Sequence, residues 1–172
     1  MAAKKVVIFI EDFYNELEFW IPYYRLLEAG AQVIVAGPHK RAIHKSKIGM
    51  PGPKTDAAFG EVDARDMDGL VIPGGYAPDR MRRDPDCLEL TRKIFEQGKP
   101  VAMICHAGWV PVSAGILKGR RGTSYFAIKD DVVNAGMEWV DEAVVVDGNL
   151  ISSRTPDDLP DFCREIVKAL GL

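Results

Sequence analysis

The sequence predicts an α/β fold: a doubly wound, mostly parallel sheet with helices on both faces and a late β-hairpin. Three observations lead there. Short β-branched runs alternate with longer amphipathic stretches, and parallel strands need crossovers of that length. Four of the runs are apolar at nearly every position, as strands covered on both faces are. One of them ends in a Cys-His pair followed by a helical stretch, at the edge where such sheets hold their ligands.

Taken in order, Val6 to Ile10 is the first strand, entered from Met1-Ala2-Ala3-Lys4-Lys5 and ended by Glu11-Asp12. A helix follows from about Asn15 to Ala29, stopped by Gly30. Val33 to Ala36 is a second strand, ended by Gly37-Pro38. Pro38 to Gly60 is the least regular stretch, with a basic cluster (His39, Lys40, Arg41, His44, Lys45, Lys47) and the turn-rich GMPGP at 49–53. It reads as a solvated loop or short edge hairpin. Its functional alternative is an anion-binding or subunit-contact arm. Leu70 to Ile72 is a third strand that runs into Pro73-Gly74-Gly75; Asp86 to Gln97 is a helix stopped by Gly98. Val101 to Ile104 is a fourth strand, followed at once by Cys105-His106 and a helical stretch to about Leu117. Ala143–Val146 and Leu150–Ser152, joined through Asp147-Gly148-Asn149, form the hairpin. The last helix runs from Asp157 or Asp158 to Leu170.

At 172 residues the chain reads as one domain over 1–172. A chain this long buries roughly 70% of its unfolded surface, so neither disulfide nor metal is needed to hold it. The net charge of −3 argues against a nucleic-acid partner. No apolar run approaches a membrane span, and the first is too short for a secretory signal, so a cytoplasmic protein is expected. Cys87, Cys105 and Cys163 have neither disulfide-framework nor zinc-site spacing.

Chemistry concentrates in VAMICHAGW at 101–109. A buried strand ends, the chain turns sharply, and a helix begins, as in a nucleophile elbow, with Met103 and Ala107 at the positions usually held by glycine. A cysteine there projects into the crevice near a helix N-terminus, which predicts a lowered thiol pKa. Cys87 and Cys163 lie in ordinary helical patterns and read as inert core thiols.

Ile104-Cys105-His106, with Pro73-Gly74-Gly75 after a strand, resembles the DJ-1/PfpI superfamily of the class I glutamine amidotransferase-like, flavodoxin-like fold. IPYYRL at 21–26, GYAPDR at 75–80, KDDVVNAG at 129–136, VVVDGNL at 144–150 and SRTPDDLP at 153–160 extend the resemblance over the whole chain and place it nearest the PfpI branch. The resemblance implies Cys105 as nucleophile and Glu18 as the carboxyl against its thiolate. It implies Gly74 and Gly75 as oxyanion-hole N–H donors and His106 as the histidine beside the cysteine. Asp79 would reach the histidine of a neighbouring subunit, and Tyr125, Arg154 and Trp109 would lie at the pocket mouth. A CHAGW elbow replaces the frequent Cys-His-Gly-Pro and resembles a stress-protein subgroup.

The residues themselves support these roles unequally. Glu18 starts the helix after the first strand, so it faces the same crevice as Cys105. A carboxyl beside a thiolate resists ionisation and would donate a hydrogen bond instead. Adjacent residues on a helix do not face one another, so spacing alone leaves open whether His106 is a base; its backbone N–H is the safer oxyanion donor. Three functions remain in view. The first is a cofactor-independent enzyme converting reactive carbonyls, glyoxalase III-like or deglycase, in stress protection. The second is an intracellular cysteine peptidase or amidase that works as an oligomer. The third is a redox sensor or stress-associated protein oxidised at Cys105. The expected partner is a second copy of the chain, in a homodimer or hexamer, with a small aldehyde or a peptide as substrate. Trp20, Tyr23 and Tyr24 are either contact surface or core.

Overall fold

The computed structural model describes residues 3–172; Met1 and Ala2, at the start of the lead-in to the first strand, lie outside them. The chain opens with β1 (Lys5–Phe9), α1 (Glu16–Glu28) and β2 (Gln32–Gly37). The irregular stretch folds as an antiparallel hairpin, β3 (Ile43–Lys45) with β4 (Pro51–Lys54), and then joins the sheet edge as β5 (Ala57–Ala58). Next come β6 (Gly69–Ile72), a short α2 (Ala77–Met81), α3 (Pro85–Glu96) and β7 (Val101–Ile104). After a 3₁₀ turn at Cys105–Gly108 follow α4 (Trp109–Ala114), β8 (Arg121–Gly122), α5 (Lys129–Asn134) and β9 (Glu138–Trp139). The hairpin β10 (Val144–Asp147) and β11 (Leu150–Ser153) precedes the final α6 (Leu159–Leu170).

The main sheet has seven strands in the order β10-β11-β7-β6-β1-β2-β5. Every pair is parallel except β10–β11. Val6, Val7, Ile8 and Phe9 of β1 and Leu70, Val71 and Ile72 of β6 are buried, as the unbroken apolar runs require. Helices α1 and α6 pack against one another, and α3 packs with α4, so both faces are covered. Asp147 pairs with Leu150, which leaves Gly148-Asn149 as a two-residue hairpin turn with Gly148 at φ +59°.

From β1 the chain moves outward to β2, whereas β6 and β7 lie on the opposite side of β1. The winding therefore reverses between β1 and β6, and the crevice beyond their carboxyl ends is where such sheets bind ligands. The first turn of α1 after β1, the loop after β6 and the turn after β7 carry Glu18, Gly74-Gly75 and Cys105, respectively. The helical stretch expected after the Cys105-His106 corner, to about Leu117, is a 3₁₀ turn at Cys105–Gly108 followed by α4, which ends earlier, at Ala114, with Gly115 at φ +74°. On α1, Tyr24 is exposed while Trp20 and Tyr23 are half-buried, so this aromatic set is part surface and part core. No helix among the described residues is long and apolar enough to cross a membrane.

Candidate active site

Cys105 closes β7 with φ +63°, a left-handed conformation that costs a non-glycine residue about 1 kcal/mol or more and collects at functional sites. The turn needs glycine opposite it. A Cβ on Gly74 would lie 2.5 Å from Glu18 Oε2 and 2.8 Å from Cys105 Cβ. Gly75, at φ +81°, sits as close to the backbone of Phe13 and Asn15.

Asn15 caps α1, its side-chain oxygen accepting from the N–H groups of Leu17 (3.0 Å) and Glu18 (3.3 Å). That start turns the fully buried Glu18 inward. Glu18 Oε2 accepts the Gly74 N–H at 2.8 Å. Oε1 is buried without a hydrogen-bond partner, and the carboxyl lies against the Cys105 thiol. Burial pushes the Glu18 pKa up to about 7, the Gly74 N–H opposing it. Burial, then the Glu18 charge, pushes the Cys105 thiol up to about 12, while the N–H groups of His106 and Gly75 pull it down. The expectation of a lowered thiol pKa is thus reversed, because burial and the neighbouring carboxylate outweigh the amides. The pair releases its first proton near neutral pH and keeps the second well above it, and the place of that second proton is a property of the pair.

His106 Nδ1 lies 3.3 Å from Cys105 Sγ. A regular helix would separate these side chains; the positive φ of Cys105 brings them together. Burial, with the Lys47 charge second, lowers the His106 pKa, which favours a neutral imidazole. The ring packs 5.0 Å from Tyr125 and 5.3 Å from Trp109, centroid to centroid.

These groups open into a pocket of about 390 Å³. Asn15 and Glu18 line it from α1, Gly75 and Tyr76 from the loop after β6, and Cys105 and His106 from the elbow. Lys47, Tyr125, Thr155 and Pro156 complete it. A larger depression, about 570 Å³, is lined by residues 60–65 with Lys93 and Gln97 and holds no nucleophile.

Several expected placements are corrected. The Gly74 N–H is taken by Glu18, so Gly75 and His106 supply the amides at the sulfur. Arg154 does not line the mouth: it forms a two-point ion pair with Asp158 (3.0 and 3.1 Å) and a bond to Asp141 (2.7 Å), and Thr155 and Pro156 take its place. Trp109 stands behind His106 and donates its indole N–H to Asp131 at 2.8 Å. Asp79 is exposed on α2. Tyr125 lies at the pocket as expected. Lys47, Tyr76, Thr155 and Pro156 are additions. The basic cluster was the one signal for Lys47, which is delivered by bridges from Tyr14 to Ser46 and to Gly75 and by the Lys47 N–H to Tyr14 (3.0 Å).

The family model for the DJ-1/PfpI family matches residues 4–169. The deglycase PfpI of Pyrococcus furiosus is 47% identical over 96% of this chain and 99% of its own. Protein/nucleic acid deglycase 2 of Escherichia coli is 39% identical over 98% of this chain and 99% of its own. A crystal structure of a two-domain protein with DJ-1/ThiJ/PfpI-like and ferritin-like domains, from Anabaena variabilis, matches with a TM-score of 0.96 and 43% identity. The match covers 98% of this chain and 48% of that one.

Proposed function

Because this chain belongs to the DJ-1/PfpI family, we propose that it is a deglycase-type enzyme acting on reactive carbonyls and their early adducts, with Cys105 as nucleophile and Glu18 as its proton partner. The observation that carries this reading is the buried Glu18 carboxyl, with one oxygen held by Gly74 and the other unpartnered, lying against a thiol on a strained strand end.

Transfer of the shared proton to Glu18 leaves a thiolate facing the Gly75 and His106 amides. On a 2-oxoaldehyde the sulfur adds to the aldehyde carbon. A C–S bond forms, and the carbonyl oxygen takes the Glu18 proton to give a hemithioacetal. Glu18 or neutral His106 then removes the proton from the sulfur-bearing carbon, and a proton returns to the adjacent carbon through an enediol. The product is a thioester of a 2-hydroxy acid, which water cleaves to free the thiol. Methylglyoxal plus water becomes lactate, with no external oxidant or reductant. On a hemiaminal adduct, the sulfur forms the C–S bond as the C–N bond breaks, the leaving amine nitrogen takes the Glu18 proton, and the steps after hemithioacetal formation follow.

A peptidase reading stands second because His106 Nδ1 is within reach of the sulfur; it requires Asp79 of a neighbouring copy to orient the imidazole. Assembly as a homo-oligomer is part of the proposal, and the exposed Leu17, Ile21, Tyr24 and Leu27 on α1 support it. The deciding experiment follows lactate formation from methylglyoxal, amine release from a methylglyoxal hemiaminal, and peptide hydrolysis in the same preparation. Carbonyl turnover that disappears in Cys105→Ala supports the proposal. Peptide hydrolysis with no carbonyl turnover overturns it.

A further inference from the structure

Outside the pocket, the loop after β1 meets the β3–β4 arm through three side chains that no step above uses: Glu11, Asp12 and His44. We propose that these residues form a binding site for a divalent transition-metal cation of the zinc type, which clips the arm to the end of β1.

The argument begins with His44. The imidazole is 6% exposed, and neither Nδ1 nor Nε2 has a hydrogen-bond partner. Its Nδ1 nevertheless lies 3.2 Å from Glu11 Oε1 and 3.6 Å from Asp12 Oδ1. Two ligands bound to one ion at about 2.0–2.1 Å in a tetrahedral arrangement stand about 3.3 Å apart. Both nitrogen-to-oxygen distances thus match the spacing of ligand atoms around a common centre, and all three atoms lie within 4.8 Å of one another.

The carboxylates are held in place independently. Glu11 Oε1 accepts the Asp12 N–H at 2.7 Å, and Asp12 Oδ1 accepts the Lys45 N–H at 2.9 Å. Each of these oxygens retains a second lone pair for a cation, and such outer hydrogen bonds are what orient ligating groups. The Arg80 charge acts on Glu11, but Asp12 is half-exposed and gives an ion a route in. One imidazole with two carboxylates selects zinc, cobalt or nickel over calcium or magnesium, which take all-oxygen shells. Water completes the coordination.

The consequence is mechanical. His44 is three residues before Lys47, the arm's contribution to the pocket wall. A cation at His44 would tie that wall to the end of β1, adding to the backbone bonds from Phe13 N–H to Lys45 (2.7 Å) and from Lys47 N–H to Tyr14 (3.0 Å).

The test uses the full chain carrying Cys105→Ser, so that the reactive thiol cannot supply the signal. Metal-stripped protein is titrated with Zn²⁺ by calorimetry and with Co²⁺ by visible absorption. One ion per chain is expected, with cobalt bands of a four- to five-coordinate N/O site and a raised melting temperature. His44→Ala should weaken binding by about tenfold or more, and so should Asp12→Asn, whose half-exposed position keeps the fold intact if the histidine change does not. Binding unchanged in both variants, or no Zn²⁺ binding in the parent, overturns the proposal and leaves the cluster as an ion pair.

Discussion

Cys105 and Cys163 are both buried, 9% and 5% exposed, and burial raises both thiols, to about 12 and about 11. By burial and acidity alone they are near equals. What separates them is the backbone. Cys163 sits inside α6, where helical N–H groups are spent on carbonyls. Cys105 sits at φ +63° on a strand end, with two amides, an imidazole and a protonatable carboxyl around one sulfur. Reactivity in this fold therefore depends on what can receive the thiol proton and stabilise the anion left behind, more than on the thiol's resting pKa. The arm makes the same point from another side: it has little regular structure, yet it brings Lys47 to the pocket.

The largest effect expected from that contrast falls on turnover. Cys105→Ala should reduce carbonyl conversion to the background rate, while Cys163→Ala leaves it near wild type and shows only a loss of stability from the vacated core volume. Iodoacetamide at pH 7 should modify Cys105 first, as read by mass spectrometry of the intact chain. Equal labelling of both thiols would break the comparison.

Glu18→Gln comes next. The amide can accept from Gly74 and donate to sulfur but cannot move a proton, so turnover should fall by about 10²–10⁴-fold. Stability should move the other way. A carboxyl whose pKa is raised from 4.5 to about 7 on folding favours the folded state most below 4.5, and that advantage is lost as pH rises to 7. Above pH 7 the buried charge costs on the order of 3 kcal/mol. Urea unfolding should show Glu18→Gln more stable than wild type at pH 8, with the gap closing toward pH 4.5. A gap independent of pH would mean that Glu18 is not the group titrating.

Arg154→Ala tests a structural role. Asp158 would be left buried without its two-point partner, which costs about 1–3 kcal/mol. Alkylation of Cys105 should be unchanged, since Arg154 does not line the pocket. Faster or slower alkylation would return it to the site.

What was legible in the sequence was whatever a local pattern encodes. The parallel sheet, the late hairpin and the Cys105 corner follow from strand length, periodicity and a break in the pattern, and the position of Glu18 follows from its place in the first turn after β1. Partner choice among polar groups was not legible. The Gly74 N–H could have faced a substrate oxyanion as well as Glu18, 56 residues earlier. Arg154 could have pointed into the pocket as well as back to Asp158. His106 was out of reach for a different reason: its contact with Cys105 depends on one backbone angle that a non-glycine residue seldom adopts.

The smallest effect should come from Asp79→Asn, and it divides the two enzymatic readings most sharply. Asp79 is exposed on α2, and in the peptidase reading it acts on the histidine of a neighbouring copy. A peptidase needs that contact, because His106 must be oriented to take the thiol proton, and groups that act as one unit lose activity together. Asp79→Asn and His106→Ala would then be equally damaging to peptide hydrolysis. Carbonyl conversion through Cys105 and Glu18 keeps its proton within one chain, on a carboxyl already held by Gly74. Asp79→Asn should therefore leave methylglyoxal turnover within about twofold of wild type, a ratio worth roughly 0.4 kcal/mol in the barrier. Parallel loss of both activities would mean that His106, aligned from a neighbouring subunit, performs the proton transfers assigned to Glu18. The comparison between Cys105 and Cys163 would then turn on assembly as well as on the backbone of the elbow.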